Sequence, residues 1–186
     1  MLKSLLPALL LAAALLPAVS PAAEPPPVQA LPAMEVPRYA GQWFEIARFP
    51  NRFQKQCSGD VTARYTLQAD GGIQVVNRCR LADGRYDQAT ALARQQDPAG
   101  RNTQLEVRFA PAWLSWLPWV WGDYWVLALD KDYRHALVGT PDRDYLWVLS
   151  RTPQLDEKAY ADLLEKAKAQ GYDTSRLQKT AQGTIR

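Results

Sequence analysis

Between Gly41 and Arg151 apolar residues recur at every second position, and turn chemistry interrupts the alternation at short intervals. A period of two sends successive side chains to opposite faces of an extended chain, so this stretch is constrained to antiparallel strands. Eight strands are predicted, over 41–49, 59–68, 72–80, 84–94, 103–109, 122–130, 134–140 and 144–151. Asp70-Gly71-Gly72 and Asp83-Gly84 make tight turns because glycine accepts positive φ, and Asp97-Pro98-Ala99-Gly100 makes a longer one. A helix follows the last strand. Asp156 caps it, Tyr160, Leu163, Leu164 and Ala167 fall at helical spacing, and Gly171 ends it. A short strand around 176–180 is expected to return to the sheet edge. The expected class is all-β: an eight-stranded antiparallel up-and-down barrel with one C-terminal α-helix against its outside.

The flanks of this pattern set the domain organisation. Residues 1–22 read as a signal peptide, with Lys3 as a basic start, an apolar run from Leu5 to Leu16, and small residues at Ser20-Pro21-Ala22. That run is too short to span a bilayer, and Pro17, Pro21 and Pro25 to Pro27 follow it. Residues 23–36, rich in proline and alanine, read as an extended, mobile lead-in. Residues 37–186 then form one domain, a length that suits a single core. The formal charge of +3 falls to +2 without Lys3, and it is interspersed, which excludes an electrostatic case for nucleic acid. A loose basic group at Arg48, Arg52 and Lys55 reads as a solvated loop.

An exported eight-stranded sheet also raises the possibility of a membrane-spanning barrel. Its outer face would have to be apolar. Arg64, Arg78, Asp87, Glu106 and Arg108 alternate with the expected inward residues and would sit in hydrocarbon at a cost of several kcal/mol in total. The spanning barrel is therefore rejected.

Two stretches carry a family resemblance. The first is Gly41-Gln42-Trp43; the second is Ala128 to Val138 (ALDKDYRHALV) followed by Thr140 to Arg151 (TPDRDYLWVLSR). Together they resemble the lipocalins, specifically the bacterial and apolipoprotein D-like branch. The resemblance implies a barrel floor in which Trp43, preceded by Gly41, lies under Arg151, with indole packing and a cation–π contact. It also implies a role in binding, storing or transporting fatty acids, lysophospholipids or similar lipids, in support of the cell envelope. Many bacterial members carry an acylated cysteine at the end of the leader. This chain departs from that pattern, because its only cysteines are Cys57 and Cys79, so a soluble periplasmic or secreted protein is expected.

With Trp43 and Arg151 taken as inward, alternation and the resemblance place Ala47, Ala63, Tyr65, Val75, Asn77, Ala89, Ala91, Leu105, Val107, Phe109, Tyr124, Val126, Tyr145 and Trp147 on the lumen side. The alanines leave space that a solid core would fill with larger side chains. An apolar cavity with hydroxyls from Tyr65, Tyr124 and Tyr145 suits an elongated hydrophobe with one polar end. The resemblance puts Ala110 to Trp121 (APAWLSWLPWVW), which holds four of the seven tryptophans, on the open rim. Trp113 and Trp116 are candidates for contact with guest or membrane, the loop acting as a lid, a membrane contact or a partner site.

Cys57 and Cys79 are an even pair in an exported chain and both map to the open end, so a disulfide is expected. Closing a loop of this length contributes on the order of 3 kcal/mol. One histidine and two cysteines are too few for a zinc site, and no metal or cofactor is expected. A lipid-acting hydrolase or isomerase is the alternative reading. Its only histidine, His135, follows a tight turn and lacks a Gly-x-Ser-x-Gly elbow, and Asp130, Asp132 and Arg134 read as turn organisers.

Overall fold

The computed structural model describes residues 25–96 and 100–183. The leader, the first two residues of the lead-in and the 97–99 part of the long turn lie outside those residues. Eight strands follow in chain order: β1 (Gly41–Arg48), β2 (Cys57–Leu67), β3 (Ile73–Leu81), β4 (Tyr86–Gln95), β5 (Gln104–Arg108), β6 (Gly122–Leu129), β7 (His135–Gly139) and β8 (Leu146–Ser150). Each is antiparallel to the next, and β1 pairs with both β8 and β2, so the sheet closes on itself. Closure removes the unpaired edges that an open sheet would leave exposed. The β1–β2, β3–β4, β5–β6 and β7–β8 loops share one end, the mouth; the other connections lie at the floor.

Apolar side chains form two layers, one inside the barrel and one outside it. The inner layer includes Trp43, Tyr65, Val75, Leu105, Val126 and Val138. The outer layer joins Leu127, Leu137, Leu146 and Val148 to helix α2 (Glu157–Ala169) through Leu163 and Ala167. Asp156 caps α2 by accepting from the amides of Lys158 and Ala159. At its other end Gly171 takes φ +81°. Tyr172 then donates to the Thr140 carbonyl at 2.7 Å.

The lead-in is extended, as its composition suggests, but it is tied down along the barrel. Arg143 in the β7–β8 loop donates to the Pro26 carbonyl, and Gln29 N–H donates to Gln170 Oε1. Val28 joins the outer layer, Leu31 N–H bonds Val126 O at 2.9 Å, and Met34 N–H bonds Arg101 O at 3.0 Å. The segment thus runs from the mouth end down the wall to a short helix, α1 (Val36–Tyr39), under the floor. An expected domain start at residue 37 omits this packed stretch, because proline-rich extended chain buries side chains without any periodic signature.

After α2 the chain returns as β9 (Gln178–Lys179), beside the upper half of β1 where β1 parts from β2. Thr180 N–H bonds Ile46 O, Ala181 O accepts from Asp60 N–H, and Gln182 Nε2 donates to the carbonyls of Glu45 and Val61. The tail therefore stitches the seam where β1 and β2 part.

Candidate ligand-binding site

The floor is built on Trp43, which is fully buried, with the Arg151 guanidinium 3.9 Å from its ring centroid. Arg151 spends its donors on main-chain carbonyls: Nε on Tyr133, Nη1 on Gln42, and Nη2 on Arg38, Tyr39 and Ala40. Gly41, at φ +95°, lets the chain turn beside that guanidinium, and a Cβ there would lie 3.3 Å from Nη1.

Residues directly opposite each other in an antiparallel pair share a face. Ala63 faces both Trp43 and Asn77, and Asn77 faces Ala89; Tyr65 faces Val75, which faces Ala91. Leu105 lies opposite Tyr124, and Val126 opposite Val138, which faces Trp147. Val107 faces Ala93, and Tyr145 stacks on Trp147 with centroids 5.7 Å apart. The inner wall thus carries Ala63, Tyr65, Val75, Asn77, Ala89, Ala91, Leu105, Val107, Tyr124, Val126 and Trp147, with Tyr145 and Phe109 at the rim.

Ala47 does not belong there. A bulge between Glu45 and Ala47 pairs Ala47 with Val148 and Arg48 with Trp147, which turns Ala47 outward beneath the helix and Arg48 inward. Alternation counted across Ile46 gives the wrong face. Arg48 is consequently no loop cation: it pairs with the buried Glu45 at 3.0 Å, and Glu45 also accepts from Thr180 and Gln54. Gln54 in turn accepts from the Trp147 indole. Asp87, expected outside, lies opposite Cys79 and shares the inner phase.

Burial falls from floor to mouth. Trp43, Tyr65, Val75, Leu105 and Val126 are buried, Ala63, Asn77, Val107, Tyr124 and Trp147 are half-buried, and Ala89 and Phe109 are exposed. Ala89 lies in the stretch of β4 that has no partner on β5, so solvent reaches the wall there. Near the floor Tyr124 Oη lies 2.6 Å from Tyr39 Oη and 2.8 Å from Tyr65 Oη. Burial raises all three phenols, that of Tyr65 to about 12, so they stay protonated at neutral pH. Tyr39 precedes the first strand and carried no alternation signal. Ile73, Ala93 and Val138 complete the wall and are in phase with their neighbours.

At the rim, Trp113, Trp116 and Trp119 are 74%, 76% and 77% exposed. Two single turns, Ala112–Leu114 and Pro118–Val120, hold the loop, Leu117 is buried beneath it, and Trp121 Nε1 donates to Ser115 O. Phe53 on the neighbouring β1–β2 loop is also exposed. Cys57 and Cys79 form a disulfide, with Cα atoms 5.5 Å apart, at the base of that loop.

A lipocalin-like domain model matches residues 34–182, most of the chain. The chain is a lipocalin. Temperature-induced lipocalin-1 of Arabidopsis thaliana is 46% identical over 156 residues, covering 83% of each chain. Outer membrane lipoprotein Blc of Escherichia coli K12 is 41% identical over 140 residues, 75% of this chain and 74% of that one. Insecticyanin of the tobacco hornworm Manduca sexta superposes with a TM-score of 0.66 at 18% identity, over 87% of each chain, a likeness of fold.

Elsewhere on this lipocalin the titratable groups have structural work. Asp130 accepts from the amides of Asp132, Arg134 and His135 and from Arg134 Nε, so it organises the β6–β7 turn. His135 lies 3.9 Å from Asp130. A groove of about 570 Å³ on the outer wall is lined by Gln42, Thr62, Arg64, Arg78 and Tyr86 among others. No group of three or more metal-ligating side chains occurs among the described residues.

Proposed function

We propose that this lipocalin is a non-catalytic carrier that holds a fatty acid, lysophospholipid or similar lipid in the barrel and serves maintenance of the cell envelope. The observation that carries the reading is the burial gradient of the inner wall: a sealed aromatic floor, with the wall growing more exposed toward the mouth at Ala89 and Phe109. Apolar surface removed from water contributes roughly 25 cal/mol per Å², so a long chain enclosed there binds at micromolar affinity or better without covalent chemistry. The lining offers Ala63, Tyr65, Val75, Asn77, Ala89, Ala91, Leu105, Val107, Phe109, Tyr124, Val126, Tyr145 and Trp147 to such a guest.

The exposed rim tryptophans support a second element of the proposal, peripheral contact with a bilayer. Thirteen consecutive residues, Phe109 to Trp121, carry no charge, and tryptophan favours the membrane interface. The carrier is proposed to work after export and loss of residues 1–22, in the periplasm or outside the cell. Native mass spectrometry of protein purified without detergent is the test. Adducts with acyl-lipid masses are the expected result; ester turnover that disappears in His135→Ala would transfer the assignment to a hydrolase.

A further inference from the structure

The hydroxyls of Tyr39, Tyr65 and Tyr124 form a chain of three joined by two hydrogen bonds. Each phenol carries one proton, and each bond uses one. Whichever way the two bonds point, one of the three protons is left without an acceptor. Among the described residues the three hydroxyls bond only to one another. Tyr39 and Tyr65 are 2% and 5% exposed, whereas Tyr124, the middle hydroxyl of the chain and in the inner phase of β6, is half-buried. Buried donors are ordinarily satisfied, so an oxygen arriving down the barrel has a place made for it.

The surroundings restrict what that oxygen can be. A carboxylate at this depth would be stripped of water and given one phenolic donor. Among the described residues no cation bonds to the three hydroxyls, and the buried donor of Arg48 that lacks a partner, its Nε, belongs to the mouth end of β1. Arg151 has committed its donors to five carbonyls on the far side of Trp43, and Arg48 is paired with Glu45 near the mouth. An alcohol or carbonyl oxygen carries no such penalty, and it accepts the spare proton directly.

We propose that the three tyrosines are the polar subsite of the lumen and select guests that bring an uncharged oxygen, a hydroxyl or carbonyl, at the end that enters first. Acids enter tail first and leave their carboxylate at the mouth. The inference rests on the carrier reading, and its test separates the two.

Hexadecane, 1-hexadecanol and hexadecanoate are titrated by displacement of a lumen-bound fluorophore, on the natural chain and on a Tyr39→Phe/Tyr65→Phe/Tyr124→Phe variant. The triple exchange keeps all three rings and leaves no orphaned hydroxyl, and matching melting curves establish that it folds. The natural chain is expected to prefer hexadecanol over hexadecane about tenfold, the size of one buried neutral hydrogen bond. The variant is expected to lose that preference, read as the ratio of the hexadecanol to the hexadecane constant within each protein, so that any common change in packing against the rings cancels. An alcohol preference that is absent, or that survives in the variant, overturns the subsite and means that water holds the spare proton. A hexadecanoate-to-hexadecane ratio that falls in the variant as the alcohol ratio does overturns the restriction to uncharged oxygen. Failure of the natural chain to bind any of the three overturns the carrier reading itself, and the subsite with it. As a control, Tyr65→Phe alone leaves two hydroxyls and one bond, so one proton is still spare and the alcohol preference is retained.

Discussion

Glu45 and Arg48 illustrate how a single residue decides the character of the upper lumen. Their side chains are 4% and 13% exposed, and removing one partner strands the other's charge away from water. Glu45→Ala is expected to lower unfolding free energy by about 3–5 kcal/mol in urea titrations. Replacing both, as Glu45→Leu with Arg48→Met, is expected to recover most of that loss. The pair was hidden in the sequence because the inward position of Arg48 depends on the bulge at Ile46, an apolar residue that fits either face and gives no sign of one; Glu45, two residues after Trp43, already has the inward phase. Trp43 and Arg151 were legible for the opposite reason: a glycine able to turn beside a guanidinium, an indole and an arginine make a combination with few other uses. Tyr39 was illegible, since nothing in Val36 to Ala40 announces that its phenol enters the barrel from below.

The strands themselves could be read to within two residues at most of their ends, because turns containing glycine and aspartate punctuate them chemically. The segments lacking periodicity could not. The lead-in and the tail contribute through main-chain bonds and isolated side chains, for which alternation offers no signal. The tail's attachment is testable by pH. Asp60 is held below the usual carboxylate range, first by the Gly183 amide, then by hydrogen bonds from Arg80 and Tyr86. A depressed folded value means that this stabilisation is present above the unfolded value of about 3.9 and disappears as pH falls through the folded one. The protection factor of the Gly183 amide, its rate taken against the intrinsic rate at each pH, is expected to be high at pH 7 and to fall below about pH 4, ahead of that in the middle of β7. Equal protection at both pH values would show that Asp60 does not hold the tail.

The assembled barrel concentrates its exposed aromatic surface at the same end as its opening. Trp113, Trp116 and Trp119 point outward from a loop fixed by its own turns, so they can engage a surface without first becoming ordered. Exchanging all three for serine is expected to abolish the blue shift of tryptophan emission on adding lysophospholipid-containing vesicles. The melting temperature is expected to change little, because these side chains are already in water. An undiminished shift in the variant would place vesicle contact elsewhere. The fold and the apolar character of the interior were accessible from sequence; the gradient from sealed floor to open mouth emerged only when eight strands were placed in register.

The route of the lead-in bears on which way up the cup is carried. Because Pro26 is fastened to Arg143 in the β7–β8 loop, the described part of the lead-in begins at the drinking side. A surface linkage made through the β2–β3 hairpin, at the opposite end, therefore leaves the lip unobstructed.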